Sequence, residues 1–227
     1  MTTRLMTGEP LVHIVGGGRN QLAIVDAAKR LGCAVLVTDM YEDPPCRAKA
    51  DLFAQVDTVD RAGTLEAAQR FDIDAVITDQ TDVAVPTVAL VAEELGLPGI
   101  GLETSLFFTN KKLMRDKLGG SSEFLLPQSH FFSDVRTAYE FLDSAPEGVV
   151  DWIVKPVNSQ GSRGVARLTS GGWADQLAGA FAESREKGVL LEEFIAGEEY
   201  SVESFVLDGV TSNLAVTRKS HYASNEC

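Results

Sequence analysis

From Leu11 to Asp39 the chain reads LVHIVGGGRNQLAIVDAAKRLGCAVLVTD: an apolar run, three glycines, an amphipathic stretch, and a second apolar run ending on an acid. Continuous apolar runs of strand length suit strands buried on both faces, and two of them joined through a helix form a parallel crossover. The spacing predicts a strand over LVHIVGG and a helix over NQLAIVDAAKRLG, with Leu22, Val25, Ala28 and Leu31 near helical spacing and Gly32 as its stop. CAVLVTD is the next strand. AQVDTVD then reads as a short strand after a loop containing Pro44 and Pro45, GTLEAAQRFD as a helix and IDAVITD as a strand. VAVPTVALVAEELGL is mostly helical, with Pro86 in its first turn. This alternation predicts a parallel sheet covered on both faces, ending near residue 108.

Beyond it the pattern changes. TNKKLMRDKLGGS is a basic helix, followed by a strand in LLPQSHFF, a helix in SDVRTAYEFLDSA opened by a Ser/Asp cap, and a strand in DWIVKPV. After a polar glycine loop come a strand in GVARLT, a helix in GGWADQLAGAFAESREKG, a strand in VLLEEFI, and a hairpin over YSVESFVLDGVTSNLAVTRKS turning at Asp208-Gly209. The second unit is therefore expected to be α+β with antiparallel character.

Composition narrows the function classes. With 227 residues and a formal net charge of −13, the chain lacks the basic surface that nucleic-acid binding requires. Its apolar runs are strand-length and broken by charge, so no membrane span is expected. The first ten residues hold no apolar stretch of signal-peptide length. Three cysteines (Cys33, Cys46 and Cys227) without metal-ligand spacing point to a reducing, cytoplasmic setting. An anionic ligand on so acidic a chain must be held by local lysines and backbone N–H groups.

Four segments could do such work. In IVGGGRNQL the dinucleotide pattern G-x-G-x-x-G is only partial: Gly16 and Gly18 fit, but Gln21 stands where the third glycine belongs. Asp39 lies where an NAD enzyme would place its ribose acid, although any doubly wound domain needs a tight glycine turn here. In DWIVKPVNSQGSRGVARL, Lys155 closes an apolar strand and is followed by a loop bearing Gly161, Ser162 and Gly164. Such loops present successive N–H groups to an anion, and lysine is a point charge suited to phosphate. A solvent-exposed hairpin turn would explain the glycines but not the lysine. In VLLEEFIAGEEYSVE, Glu192 and Glu193 follow an apolar strand and lead to Phe194, Ile195 and Glu199. Carboxylates there can accept from an exocyclic amine or a ribose hydroxyl, and the Phe194 and Ile195 backbone can pair with a purine edge; a charged surface corner is the plainer reading. Lys111 opens the basic helix, where solvation is the ordinary role. His13, His130 and His221 are far apart, and His13, within a strand, reads as structural.

Taken together, Asn110-Lys111, VKPVNSQGSRGV and LLEEFIAGEE resemble the ATP-grasp superfamily in order and spacing, its L-amino-acid-ligase-like members among them, and VTDMYEDPPCRAKADLF is similar to the post-strand loop of its carbamoyl-phosphate-synthetase-like and formate-dependent glycinamide ribonucleotide transformylase-like members. The resemblance implies a Rossmann-like domain over 10–108, a lid over 109–190, and the start of a C-terminal subdomain over 191–227. It implies that Lys111 and Lys155 contact ATP phosphates and that the Gln160–Gly164 loop, with Ser162 and Arg163, folds over the β- and γ-phosphates. Glu192 would take the adenine amino group, with Glu193 beside it; Phe194 and Ile195 would meet the purine edge, and Glu199 the ribose. Gly17, Gly18, Asn20, Gln21, Asp39, Asp79, Gln80 and Asp82 become substrate-side candidates. The implied activity is ligation of a small carboxylate to an amine or other nucleophile through an acyl phosphate, with ATP and Mg2+, in a homodimer. The family's metal ligands, an acid on one strand and Glu-x-Asn on the next, are expected beyond Lys219; Glu226 stands in no such context. No metal ligand is therefore expected within this chain, which reads as a portion of a longer enzyme. A non-catalytic nucleotide-binding module is the alternative, and an NAD-dependent oxidoreductase a third reading.

Overall fold

The structure, a computed structural model, describes residues 8–121, 123, 125–144, 151–168 and 172–220. His221, Glu226 and Cys227, together with Ala145 and Gly171 at the edges of expected helices, lie outside the described residues. The chain divides into two compact units, residues 1–118 and 119–227.

The first unit is a parallel α/β layer. Strands β1 (Leu11–Val15), β2 (Ala34–Asp39), β3 (Leu52–Gln55) and β4 (Ala75–Ile77) form one sheet in the order β3-β2-β1-β4. The ladders are parallel throughout. Helices α1 (Leu22–Arg30), α2 (Arg61–Phe71) and α3 (Val85–Glu94) follow in turn. Because side chains alternate along a strand, the two sheet faces build separate cores. Ile14, Val35 and Val37 pack with Val25 and Ala28 of α1. On the opposite face Leu11, Val15 and Leu36 pack with Ala68 and Phe71 of α2 and Val91 and Ala92 of α3. Pro86 sits in the first turn of α3, where its missing N–H costs nothing. Asp60 caps α2, its carboxylate accepting from Gly63 N–H at 3.0 Å.

Two expectations here require correction. Leu31 is 82% exposed, because α1 ends at Arg30 and the chain has already left the helical path. The third strand starts earlier than expected and ends at Gln55. Past it the Asp57 carboxylate accepts from Val59 N–H at 3.1 Å, a local turn that competes with a ladder.

Helix α4 (Leu102–Thr109) spans residue 108, and α5 (Lys111–Leu118) also clusters with the first unit.

The second unit holds an antiparallel sheet of β5 (Ser129–Phe132), β6 (Trp152–Pro156), β7 (Ala166–Arg167) and β8 (Val189–Glu193), in the order β5-β8-β6-β7. Helices α6 (Val135–Ser144) and α7 (Trp173–Glu183) cover one face. Their Ala138, Leu177 and Ala180 pack with Trp152, Val154, Val189 and Leu191. By alternation Ile153, Lys155, Leu190 and Glu192 belong to the other face. Asp134 starts α6 by accepting from Thr137 N–H at 3.0 Å, as its Ser/Asp sequence predicts.

Strand β5 is shorter than LLPQSHFF suggested, since Pro127 has no N–H for a ladder, and Leu125 before it is 97% exposed. Strand β7 keeps two residues of GVARLT, whose Thr169 lies outside the described residues. Helix α7 stops at Glu183, after which Ser184 Oγ closes a turn with Gly188, donating to its carbonyl at 2.7 Å and accepting from its N–H at 3.1 Å. Strands β9 (Glu199–Leu207) and β10 (Val210–Lys219) form a separate hairpin turning at Asp208-Gly209. Among the described residues no helix is long and apolar enough to cross a membrane.

Candidate functional site

In the first unit, the carboxyl ends of the strands meet beside β1, which has β2 on one side and β4 on the other. The strand order reverses there, which makes this end of the sheet the natural crevice for a ligand. The glycine turn is built tightly. Gly16 takes φ +98°, and a Cβ on Gly17 would lie 3.0 Å from both Pro44 Cγ and Val37 Cγ1. The Pro44–Cys46 loop is tied down on this turn: Cys46 N–H donates to Gly17 C=O at 2.9 Å, and the thiol lies 3.2 Å from Gly18 C=O. Burial, followed by the nearby Asp39 carboxylate, pushes the Cys46 thiol up, which keeps it a donor and not a nucleophile.

Asp39 is itself engaged. Its Oδ2 accepts from Gly17 N–H at 2.7 Å and its Oδ1 from Tyr41 N–H at 2.9 Å. Both oxygens brace the turn, which argues against the ribose-acid role of an NAD site. Gln21 is buried and reaches across to donate to Asp79 C=O, while Thr78 Oγ1 donates to Val15 C=O at 2.8 Å. The β1 and β4 loops are thus fastened to each other. Asn20, Gln80 and Asp82 are exposed on these loops. Gln80 holds φ +56°, a left-handed backbone that L-residues adopt rarely. Of the substrate-side candidates, Gly17, Gln21 and Asp39 are therefore spent on framing the crevice, and Asn20, Gln80 and Asp82 are left at its rim.

In the second unit, Lys155 Nζ lies 2.5 Å from Glu192 Oε2; the Glu192 side chain is 1% exposed and that of Lys155 25%. The loop after β6 turns through left-handed backbone at Gly161 (φ +64°), Ser162 (+56°) and Gly164 (+71°). Ser159 Oγ donates to Arg163 C=O at 2.8 Å and Val165 N–H to Ser162 C=O at 3.2 Å, which shapes the turn from within. A Cβ on Gly164 would come within 2.8 Å of Pro156 Cγ and 2.9 Å of Glu183 Cβ, so only glycine fits. Gly161, Ser162 and Arg163 are exposed, and Gln160 is half-buried.

Past β8, Phe194 N–H donates to Asp151 C=O at 2.7 Å. The Phe194 N–H, expected to be open to a purine edge, is therefore engaged within the chain. Ile195 and Glu193 are exposed. Glu199 opens β9 and pairs with Lys219 at 2.6 Å. Lys111 is half-buried at the start of α5, next to Asn110, whose Oδ1 accepts from Lys112 N–H at 3.0 Å and Leu113 N–H at 3.2 Å. Lys111 belongs to the first unit and Lys155 to the second.

Sequence reasoning missed Arg167. Its guanidinium lies 4.3 Å from the Phe194 ring centroid and bonds Asp151 Oδ2 at 2.7 Å, clamping the residue after β8. An arginine inside an expected strand was the available signal. Among the described residues no group of three or more His, Cys, Asp or Glu is arranged to hold a metal ion.

The ATP-grasp N-terminal domain family matches residues 25–99. A formate-dependent phosphoribosylglycinamide formyltransferase of Synechococcus sp. is 30% identical over 197 residues, covering 84% of this chain and 49% of the relative. A phosphoribosylamine–glycine ligase of Thermococcus gammatolerans is 26% identical over 204 residues, covering 86% and 45%. Among solved structures, an L-amino acid ligase from Bacillus licheniformis superimposes with a TM-score of 0.71 at 22% identity, covering 95% of this chain and 52% of that one. The chain thus spans about half the length of the curated relatives it matches.

Proposed function

We propose that the chain, matched by the ATP-grasp N-terminal domain family over residues 25–99 and sharing the fold of an L-amino acid ligase, supplies the adenine and phosphate pocket of an ATP-dependent carboxylate–amine ligase. The observation that carries the proposal lies in the second unit. A lysine closes an apolar strand, faces a buried glutamate on the neighbouring strand, and runs into a loop of left-handed backbone. Residues 109–190 act as lid and 191–227 as the start of the second nucleotide-binding subdomain.

In this reading Lys155 compensates phosphate charge. The Gln160–Gly164 amides, with Ser162 and Arg163, close over the β- and γ-phosphates. The Phe194 carbonyl and Ile195 N–H meet the purine edge, and Glu199 meets the ribose after exchanging its contact with Lys219. The γ-phosphoryl group passes to a substrate carboxylate oxygen and ADP leaves. An amine then attacks the acyl carbon, its proton is lost to solvent, and inorganic phosphate departs. The protein contributes positioning and charge, not a covalent nucleophile. Mg2+, when bound, would assist by shielding phosphate charge. Small carboxylates and amines are the substrates, in a cytoplasmic dimer.

The experiment is ADP release by the full-length protein, screened over amino acids and small carboxylates with amine acceptors. A pair that raises ADP release and yields the coupled amide in equal amount is expected. ATP turnover that no carboxylate stimulates would contradict the ligase reading.

A further inference from the structure

We propose that Arg167 is a positioning residue for the segment after β8: it holds Phe194, and with it the backbone offered to a purine, in one orientation. The inference rests on the ATP-binding reading above and adds to it a residue that itself touches no part of the nucleotide.

The base of this clamp is fixed first. Arg167 pairs with Ile153 on the β6–β7 ladder, and Leu168 N–H donates to Trp152 C=O at 2.8 Å. The Arg167 carbonyl accepts from Gln176 Nε2 of α7 at 3.0 Å. With its backbone held by a strand and a helix, only the side chain is left to reach. Strand β6 lies between β7 and β8, so the guanidinium has to cross it to meet the residue after β8.

It crosses by way of Asp151, the residue before β6. Arg167 Nη2 donates to Asp151 Oδ2 at 2.7 Å, and the Asp151 carbonyl accepts from Phe194 N–H at 2.7 Å. The guanidinium carbon lies 4.3 Å from the Phe194 ring centroid. The contacts form a closed circuit, in which the ring and the N–H of Phe194 are held by two residues that are bonded to each other. A side-chain contact and a backbone contact on one residue fix its rotation as well as its place. The peptide that follows, from Phe194 to Ile195, is the one assigned to the purine edge.

A surface ion pair is the plainer reading, since the side chains of Arg167 and Asp151 are 38% and 61% exposed. Such a pair by itself contributes little to stability. A solvated pair needs no third partner, however, and here a planar guanidinium lies against an aromatic face, a contact that the compact ammonium of lysine does not reproduce. A small share in folding together with a defined orientation is what distinguishes a positioning group, because misplacing a binding edge is costly even where the fold survives.

The test compares ATP with ITP, whose 6-oxo group accepts where the adenine amino group donates, by calorimetry on the full-length protein. Arg167→Met keeps the reach and loses the charge. It should lower the preference for ATP over ITP at least about fivefold, the effect of one misaligned hydrogen bond, while the urea midpoint moves little. Arg167→Lys should recover part of the preference, since it keeps the cation without the planar fork. Phe194→Leu should lower the preference to the same extent, and adding Arg167→Met to it should change the preference by less than about twofold further, because both act through one contact. Inorganic tripolyphosphate should bind the variants and the unmutated protein alike. If Arg167→Met does not fold, Asp151→Asn, which keeps the carbonyl and weakens the ion pair, should show the same lowered preference. An unchanged ATP/ITP preference in the folded variants, equal losses for ATP and tripolyphosphate, or multiplying losses in the double variant would each overturn the proposal. ATP binding with no preference over ITP in the unmutated protein would overturn this inference alone. No ATP binding at all would overturn the ligase reading itself, and the inference with it.

Discussion

Replacing Lys155 by methionine should destabilise the second unit by roughly 3 kcal/mol, more than replacing Glu192 by glutamine, and more than replacing both residues by apolar ones. The asymmetry follows from burial. Methionine at 155 leaves the Glu192 carboxylate 1% exposed and without its ammonium partner, and removing one member of a buried pair typically costs about 3–5 kcal/mol. The lower end applies because a quarter of the Lys155 side chain already reaches solvent. Glutamine at 192 strands a lysine that can hydrate its own tip. Replacing both charges, as in Lys155→Met with Glu192→Leu, removes the desolvation penalty together with the attraction and should be near neutral. Urea unfolding followed by tryptophan fluorescence reads this unit selectively, since both tryptophans, Trp152 and Trp173, lie in it. Equal losses in the two single variants would mean that the pair is solvated and the burial asymmetry has no energetic weight.

The first unit should lose stability in mild acid through a single residue. His13 lies at 0% exposure in the central strand, its Nε2 2.9 Å from Thr38 Oγ1, and among the described residues its Nδ1 has no partner. Burial alone lowers its pKa from 6.5 to about 3. The unfolded chain therefore binds a proton that the folded unit refuses over that interval. Stability is fully present above pH 6.5 and falls as pH drops, by about 1.4 kcal/mol per unit. The expected loss is about 2 kcal/mol at pH 5, and on the order of 5 kcal/mol by the time the folded form titrates. Asp51, whose carboxyl is held below the ordinary range by the Lys29 and Val35 hydrogen bonds despite its desolvation, acts only at lower pH. Urea unfolding by far-UV circular dichroism at pH 7 and pH 5 measures the His13 contribution. In His13→Leu/Thr38→Val, which removes both polar partners together, most of the pH dependence should disappear. An unchanged slope would place the acid sensitivity elsewhere.

Much of the fold was legible because the strongest signals are local. LVHIVGG and CAVLVTD are continuous apolar runs, and both are strands of the parallel sheet. Pro86 and Asp134 mark helix starts by mechanisms that need no tertiary context. The misplaced boundaries fall where side-chain chemistry competes with the pattern. Asp57 makes its own turn, Pro127 has no N–H for a ladder, and Leu31 continues a periodicity that the backbone has abandoned.

The site divided in the same way. Lys155, the glycines after it and Glu192 stand out in sequence because polar residues interrupt apolar strands. That Lys155 and Glu192 meet each other was not legible, since it depends on the register of two strands 37 residues apart. The role of Asp39 in the turn was hidden for a related reason. Its position at a strand end invites a ligand role, yet both oxygens are engaged by Gly17 and Tyr41 N–H groups, an arrangement visible only once the turn is folded.

The central claim is that the β6 loop, Lys155 and the segment after β8 together bind ATP. Calorimetric titration of ATP into the full-length protein and its Lys155→Ala and Glu199→Ala variants tests it most directly. The account predicts saturable binding by the unmutated protein, weakened at least about tenfold in Lys155→Ala and less in Glu199→Ala, whose carboxylate is half exposed and paired with Lys219. Unchanged affinity in both variants, or no binding by the unmutated protein, would contradict it.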